Sequence, residues 1–225
     1  MYKISQDLKR KNIPGHVLEH LDYISHFQVK AQVGGFTFLL LDLFILLPLL
    51  TPQNNIFLWI IAPLLVFVSV WAIWILIRNV EKTELESILF LGCLGGVGSL
   101  SYFLIGLKYS YVLGISSFVY YLFSVLLYLL ALFLFVRHYK NKFSTIEKRP
   151  KKTTPKWHYT VLSVSVPIGY ILGHYLVGAS EYLMLSVLTL IFYGFSLTYM
   201  FLFIKFLHKF LYIKTNYHFA RFSKP

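Results

Sequence analysis

Charged residues are scarce in this sequence. Aspartate, glutamate, lysine and arginine together make up 13% of its 225 residues, whereas apolar residues make up 57%. A soluble domain carries about 25% charged and about 45–50% apolar residues. With a mean hydropathy of +0.66, the composition excludes a soluble globular domain, a disordered chain and a collagen-like fibre. It predicts an integral membrane protein.

Cysteine is almost absent and acidic residues are few. The single cysteine, Cys93, excludes a disulfide within the chain and a cysteine-based metal or redox site. Nine acidic residues stand against 21 lysines and arginines, which gives a net charge of +12. In a membrane protein this excess indicates loops that face an anionic inner leaflet. We therefore expect the lipid bilayer, and no nucleic acid, as the partner of the basic residues.

Long apolar runs occupy most of the chain. Six stretches, the first of them short, have the length and composition of transmembrane helices. The predicted helices 1 to 6 are Gly34–Leu50, Ile56–Ile77, Ser87–Leu107, Tyr111–Val136, Tyr159–Val177 and Tyr182–Leu207. The predicted fold class is an all-α polytopic membrane protein whose six transmembrane helices form three hairpins.

The basic residues divide very unevenly between the two sides of these helices. Lys108 lies in a turn on one side, and the other 20 lysines and arginines lie on the other side. By the positive-inside rule both termini are cytoplasmic, and we expect a bacterial cytoplasmic membrane. The predicted segments are a cytoplasmic arm (1–33), helices 1–4 (34–136), a basic cytoplasmic loop (137–158), helices 5–6 (159–207) and a basic interfacial tail (208–225).

Asp42 is the acidic residue that the predicted helix 1 carries inside the bilayer. It lies eight residues from Leu50, which is about 12 Å from the end of the helix and near the midplane. A carboxyl group at this depth costs about 2.5–3.5 kcal/mol on insertion scales. Two interpretations remain open, a proton or cation site, or a protonated Asp42 that hydrogen-bonds to a neighbouring helix.

Hydroxyl groups recur at helical spacing on the predicted helices 4, 5 and 6. Lipid offers these groups no partner, so they should face protein or water. The pattern favours either ordinary hydrogen bonding between helices or a polar cavity among helices 4–6. With Asp42 and His174, a hypothetical substrate or proton site would comprise Ser117, Tyr121, Ser124, Tyr128, Tyr170, Glu181 and Tyr193.

Small residues four apart indicate close contacts between helices. The predicted helix 3 carries Gly92 and Gly96, and the predicted helix 5 carries Ser165, Gly169 and Gly173. Such spacing lets two helix backbones approach each other. These five positions are predicted to pack against other helices, within the chain or between subunits.

Amphipathic segments flank the membrane domain. Residues 16–31 and the tail after Lys205 carry apolar residues at helical spacing, which predicts helices lying on the inner leaflet. The first of them contains His16, Glu19 and His20, a spacing that can hold a metal ion. The polar face of a surface helix explains the triplet equally, so no metal is predicted and these residues are weak candidates.

Three classes of function are compatible with this organisation. A chain of this length with six helices, both ends inside and an amphipathic N-terminal helix resembles the small permease subunits of bacterial ABC exporters, which implies transport, an ATPase partner or a homo-oligomer. A non-catalytic membrane protein that binds a peptide or another membrane protein, such as a bacteriocin or toxin immunity factor, is the alternative. An intramembrane enzyme fits less well, because no catalytic residue set and no cofactor site is evident in the sequence.

Overall fold

The fold is described from a computed structural model of the chain. The structure describes residue 4 and residues 13–22, 26–50, 56–78, 80–143, 178 and 180–220. The elements are α1 (Gly15–Leu21), α2 (His26–Gly34), a π-helix (Gly35–Leu43), α3 (Phe44–Leu49), α4 (Ile56–Ile77), α5 (Val80–Val112), α6 (Phe118–Lys142), α7 (Glu181–Thr215) and a 3-10 turn (Tyr217–Phe219). All these elements are helical, as the sequence predicts.

Five of the described helices are long and apolar enough to cross a membrane. They are Gln28–Leu49, which we call helix 1 and which joins α2, the π-helix and α3, then Ile56–Ile77, Thr83–Val112, Phe118–Lys142 and Glu181–Thr215. They coincide with the predicted helices 1, 2, 3, 4 and 6, and support an integral membrane protein. The predicted helix 5 (159–177) lies outside the described residues.

The predicted boundaries of helices 3 and 4 are wrong at both ends, and those of helices 1 and 6 are wrong at one end. α5 continues to Val112, so that Lys108 lies in the helix and not in a turn. The chain then turns at Gly114, which has a φ of +82° that only glycine adopts easily, and α6 begins at Phe118. α7 continues eight residues beyond Leu207, because its apolar face remains buried at Tyr212 and Ile213.

The packing of α5 against α7 forms the centre of the molecule. Tyr102 of α5 and Tyr199 of α7 are buried, with ring centroids 5.2 Å apart. The two helices approach closely because α5 has glycines where it faces α7. A Cβ atom at Gly95 would lie 2.4 Å from the backbone nitrogen of Phe203, and one at Gly98 would lie 2.2 Å from the Tyr199 ring.

α4 buries one narrow stripe of side chains. The buried positions follow the spacing of a single helix face, and the remaining positions include exposed Trp59 and Trp74. The buried residues are Ile61, Leu65, Val68, Ala72 and Ile75. The other faces of α4 are as apolar as lipid tails, which agrees with a helix that contacts the bilayer.

The N-terminal helix α1 packs on protein. Its apolar residues Val17 and Leu21 are buried in the same core as Tyr212 of α7, and the backbone N–H of Ile4 donates to Oδ1 of Asn216 at 2.8 Å. The expectation that the leaflet covers this apolar face is therefore wrong for Val17 and Leu21. The extra turns of α7 supply the surface that buries them.

Candidate functional site

A cavity of about 370 Å³ lies between α6 and α7. Ser124 and Tyr128 of α6 face Tyr193 and Ser196 of α7 across it. The other lining residues are apolar, namely Phe103, Leu127, Ala131 and Leu197. All four hydroxyl groups belong to the stripes that the sequence indicated on the predicted helices 4 and 6. Both walls therefore combine apolar side chains with a few hydroxyl groups, and no charged residue is among these eight.

Hydrogen bonds hold the tyrosine ring at one end of the cavity. The Tyr193 hydroxyl lies 3.1 Å from the Tyr120 hydroxyl and 3.4 Å from Ser110 Oγ. Ser110 Oγ also lies 2.8 Å from the Tyr120 hydroxyl and donates to the Gly106 carbonyl at 2.9 Å. Three helices thus share one hydroxyl cluster, which fixes the Tyr193 ring where it lines the cavity.

A second set of hydrogen bonds holds the lining residues further along the cavity. The Tyr128 hydroxyl lies 3.0 Å from Ser99 Oγ, and Ser196 Oγ donates to the Ser99 carbonyl at 2.9 Å. The Phe103 ring stacks near Tyr128 with centroids 4.5 Å apart. Ser99 of α5 therefore connects both cavity walls. Its role does not follow from the sequence, because its hydroxyl belongs to no stripe.

Several predicted site residues lie elsewhere. Tyr121 donates its hydroxyl to the Ile115 carbonyl at 2.9 Å. Ser117 precedes α6 without a side-chain capping bond, and Glu181 lies in the first turn of α7. These three residues do not line the cavity. Tyr170, His174, Ser165, Gly169 and Gly173 lie outside the described residues.

Asp42 also lies away from the cavity. It belongs to the π-helix, and its Oδ2 atom lies 2.8 Å from the hydroxyl oxygen of Ser69 on α4. Its Oδ1 atom is buried without a hydrogen-bond partner. The hypothesis of one site that joins Asp42 to the hydroxyl stripes does not match this arrangement, because Asp42 faces α4 and the cavity lies between α6 and α7.

Tyrosines from the central helix pair reach the π-helix near Asp42. The Tyr102 hydroxyl donates to the Leu40 carbonyl, and the Tyr199 hydroxyl donates to the Phe36 carbonyl at 3.1 Å. A π-helix costs hydrogen-bond quality relative to an α-helix and is frequent at functional sites. The sequence does not predict it, because the apolar run of helix 1 carries no signal for an extra residue per turn.

The predicted packing glycines of α5 face α7. A Cβ atom at Gly92 would lie 3.2 Å from the backbone nitrogen of Leu207, and one at Gly96 would lie 3.2 Å from the Phe203 ring. The tightest approaches are at Gly95, Gly98 and Gly106, which the four-residue spacing did not single out. Both helices belong to this chain, so these contacts are within the subunit.

His20 contacts a histidine on another helix. Its Nε2 atom lies 3.1 Å from Nδ1 of His208 on α7, and its ring stacks on Phe143 at 4.4 Å between centroids. Burial, together with His208 and neighbouring lysines, lowers the pKa of His20 to about 3. The side chains of His16 and Glu19 lie outside the described residues. Within the described part of the chain, no three His, Cys, Asp or Glu side chains are grouped to hold a metal ion.

Comparisons with known proteins identify no relative of this chain. No family model matches the sequence, and neither the curated proteins nor the solved structures include a significant match.

Proposed function

We propose that this protein is a membrane transport component, a small permease or the membrane subunit of an ABC-type exporter. The observation that carries the proposal is the cavity between α6 and α7, whose mostly apolar lining includes four hydroxyl groups. Concave, mostly apolar sites with a few fixed polar groups are the usual form of a ligand site.

The chemistry of the lining favours an amphiphilic substrate. The lining is mostly apolar, and the hydroxyl oxygens of Tyr128, Tyr193 and Ser196, although hydrogen-bonded within the protein, can each accept one further hydrogen bond. A fully ionised substrate would find no opposite charge among them, and burying it there would be costly. An uncharged molecule with an apolar body and a polar group fits this lining better.

The positions of the described helix ends support six spans. Phe143, just after α6, stacks on His20 at the end of the molecule where α1 contacts the last turns of α7. Since α7 finishes at this end of the molecule, Ser180 and Glu181 at its start lie at the opposite end, some 50 Å away for 35 residues. We therefore propose that the chain crosses the membrane once more between residues 143 and 180, as the sequence predicts for helix 5.

Thiol accessibility tests the transport proposal. In a Cys93→Ala background, Ser124→Cys places a thiol in the cavity. In proteoliposomes, a charged, membrane-impermeant methanethiosulfonate reagent should label this thiol when added outside and also when trapped inside. A substrate path that opens to each side in turn requires both reactions.

Leu126→Cys is the matched control. Leu126 is two residues away on the same helix, is 54% exposed and does not line the cavity. It should react with a lipophilic maleimide and resist the charged reagent. If Ser124→Cys also resists the charged reagent from both sides, the cavity is dry and the transport proposal is wrong.

A protein that binds a peptide or another membrane protein is the second candidate. Phe118, Val119 and Phe133 on the outward face of α6 are each more than half exposed, so this face is open to a partner helix as well as to lipid. Such a protein needs no alternating path, so Ser124→Cys would react from one side only. Labelling from both sides would contradict this candidate.

A further inference from the structure

We propose that Asp42 is a proton-binding site inside the bilayer, which holds its proton at neutral pH and controls the contact between helix 1 and α4. The observation that supports this proposal is the number of hydrogen atoms available for the two contacts of Ser69. Ser69 Oγ lies 2.8 Å from Asp42 Oδ2 and 2.8 Å from the Leu65 carbonyl oxygen. A serine hydroxyl has one hydrogen to donate.

A protonated Asp42 gives each of these contacts a hydrogen of its own. If the acid carries a proton, it donates to Ser69 Oγ, and the Ser69 hydroxyl donates to the Leu65 carbonyl four residues earlier, a common bond for serine in helices. If Asp42 is ionised, the single hydroxyl hydrogen has to serve two acceptors that both lie 2.8 Å away, and a shared hydrogen bond is weaker at each of them.

The second carboxyl oxygen supports the same state. Asp42 Oδ1 is buried and has no hydrogen-bond partner. A neutral carbonyl oxygen tolerates this far better than a carboxylate oxygen, because an unpaired buried charge is much more costly than an unpaired buried dipole.

The charged and titratable groups on the surrounding helices leave Asp42 without a counter-ion. Tyr102 of α5 and Tyr199 of α7 donate to helix-1 carbonyls. Lys108 of α5 donates to the Pro48 carbonyl, six residues further along helix 1. No basic side chain within the described ranges forms an ion pair with Asp42.

Loss of the proton reverses the direction of a hydrogen bond between two helices. The proton leaves the carboxyl group for water, and the Ser69 hydroxyl turns from the Leu65 carbonyl to the new carboxylate. Leu65 keeps only the N–H bond of its own helix. Asp42 lies in the π-helix, whose wider turn is the local deformation that such a switch can alter. This site is separate from the α6–α7 cavity and does not depend on the transport proposal.

Infrared spectroscopy of the full chain in liposomes at pH 7 tests the proposal. The carbonyl stretch of a protonated carboxyl group is distinct from that of a carboxylate. We expect such a band in the wild type, its loss in Asp42→Asn and its retention in Asp22→Asn. Transfer to D2O should shift the band, because a proton site that exchanges with water takes up deuterium.

Ser69→Ala keeps the acid and provides a second readout. The band should remain and move to higher frequency, since the acid then has no hydroxyl acceptor. A wild-type spectrum that Asp42→Asn leaves unchanged would show that Asp42 is ionised and overturn the proposal. A Ser69→Ala band at the wild-type frequency, or one that D2O does not shift, would equally overturn it.

Discussion

At the scale of single residues, the ammonium group of Lys108 lies at the end of helix 1. Its Nζ atom donates to the Pro48 carbonyl at 2.9 Å and lies 3.4 Å from the Leu49 carbonyl. The last carbonyls of a helix have no partner within it, and a cation there also meets the negative end of the helix dipole. Lys108 is buried, with 1% of its surface exposed, so this contact is shielded from water.

Lys108→Met should therefore destabilise the fold. The variant keeps a side chain of similar length but loses the charged donor. We expect the free energy of unfolding to fall by about 1.5–3 kcal/mol, the usual worth of a hydrogen bond to a charged group. Thermal unfolding in detergent measures the change. Lys140→Met, at an exposed position of α6, is the control and should unfold like the wild type. Equal stability of all three would contradict this role of Lys108.

For Asp42, the sequence predicts the need for a partner but not which residue it is. Its depth in an apolar run predicts that the carboxyl group needs a partner or a proton. The identity of that partner, Ser69, does not follow from the sequence, because it depends on the rotation of α4 about its own axis. Ser69 is the polar residue amid an otherwise apolar helix, and this is the signal that could have found it.

At the scale of helices, the approach of α5 to α7 depends on missing side chains. Gly95→Ala would force a methyl group into the backbone of Phe203. We expect a loss of about 1–3 kcal/mol, typical of overpacking in a tight core. Gly194→Ala is the control, since a Cβ atom there would meet nothing within 4 Å.

The Gly194→Ala protein should be as stable as the wild type, or more stable by up to about 1 kcal/mol, because alanine favours the helix. Unfolding of the two variants in a denaturing detergent is compared, with the helical circular dichroism signal as the readout. If Gly95→Ala unfolds no earlier than Gly194→Ala, the two helices are less tightly packed than the structure indicates.

The docking of α1 on α7 should depend on pH. The folded pKa of His20, about 3, is below its ordinary value of 6.5. Docking is therefore fully stable above about pH 6.5. As the pH falls below that value, released α1 binds a proton that docked α1 does not, at a cost of up to about 1.4 kcal/mol per pH unit.

Hydrogen exchange of residues 15–21 at pH 7.5 and pH 5 measures this effect. The intrinsic exchange rate is itself lower at pH 5, and after correction for it we expect weaker protection at pH 5 than at pH 7.5 in the wild type. His20→Phe can still stack on Phe143 but does not titrate, so its corrected exchange should change less with pH. The pH dependence that remains is that of His208, whose pKa burial lowers to about 4. Equal pH dependence in the two proteins would exclude His20 as the group responsible.

At the scale of the whole molecule, the topology can be tested with reporter fusions. Reporters fused after Phe143 and after Ala220 should both lie in the cytoplasm. Green fluorescent protein should fluoresce at these positions, and alkaline phosphatase should be inactive. A fusion after Ser180 should give active phosphatase and no fluorescence. The expectation combines the uneven distribution of basic residues with the opposite positions of Phe143 and Ser180. The same readout at Phe143 and Ser180 would exclude a crossing between them.

The sequence predicts the general organisation better than the contacts. Apolar runs are long enough to identify helices 1 to 4 and 6 without knowledge of any contact. They do not show how far a helix continues beyond its apolar run, and α7 extends to Thr215 where the sequence predicts an end at Leu207. They also do not show which helix a polar face meets. Ser124 and Tyr193 were identified as site residues, but their separation from Asp42 follows only from how the helices pack.

The bond between Ile4 and Asn216 has a consequence for how the protein is made. The two residues are 212 positions apart, so Ile4 leaves the ribosome long before its partner exists. Until α7 has been inserted, the buried residues of the arm, such as Val17 and Leu21, have no surface to cover them. The arm is synthesised early but is the last segment to be packed. A chain that stops before α7 therefore exposes the apolar side of α1. Membrane quality-control proteases would have a direct way to distinguish unfinished chains from finished ones.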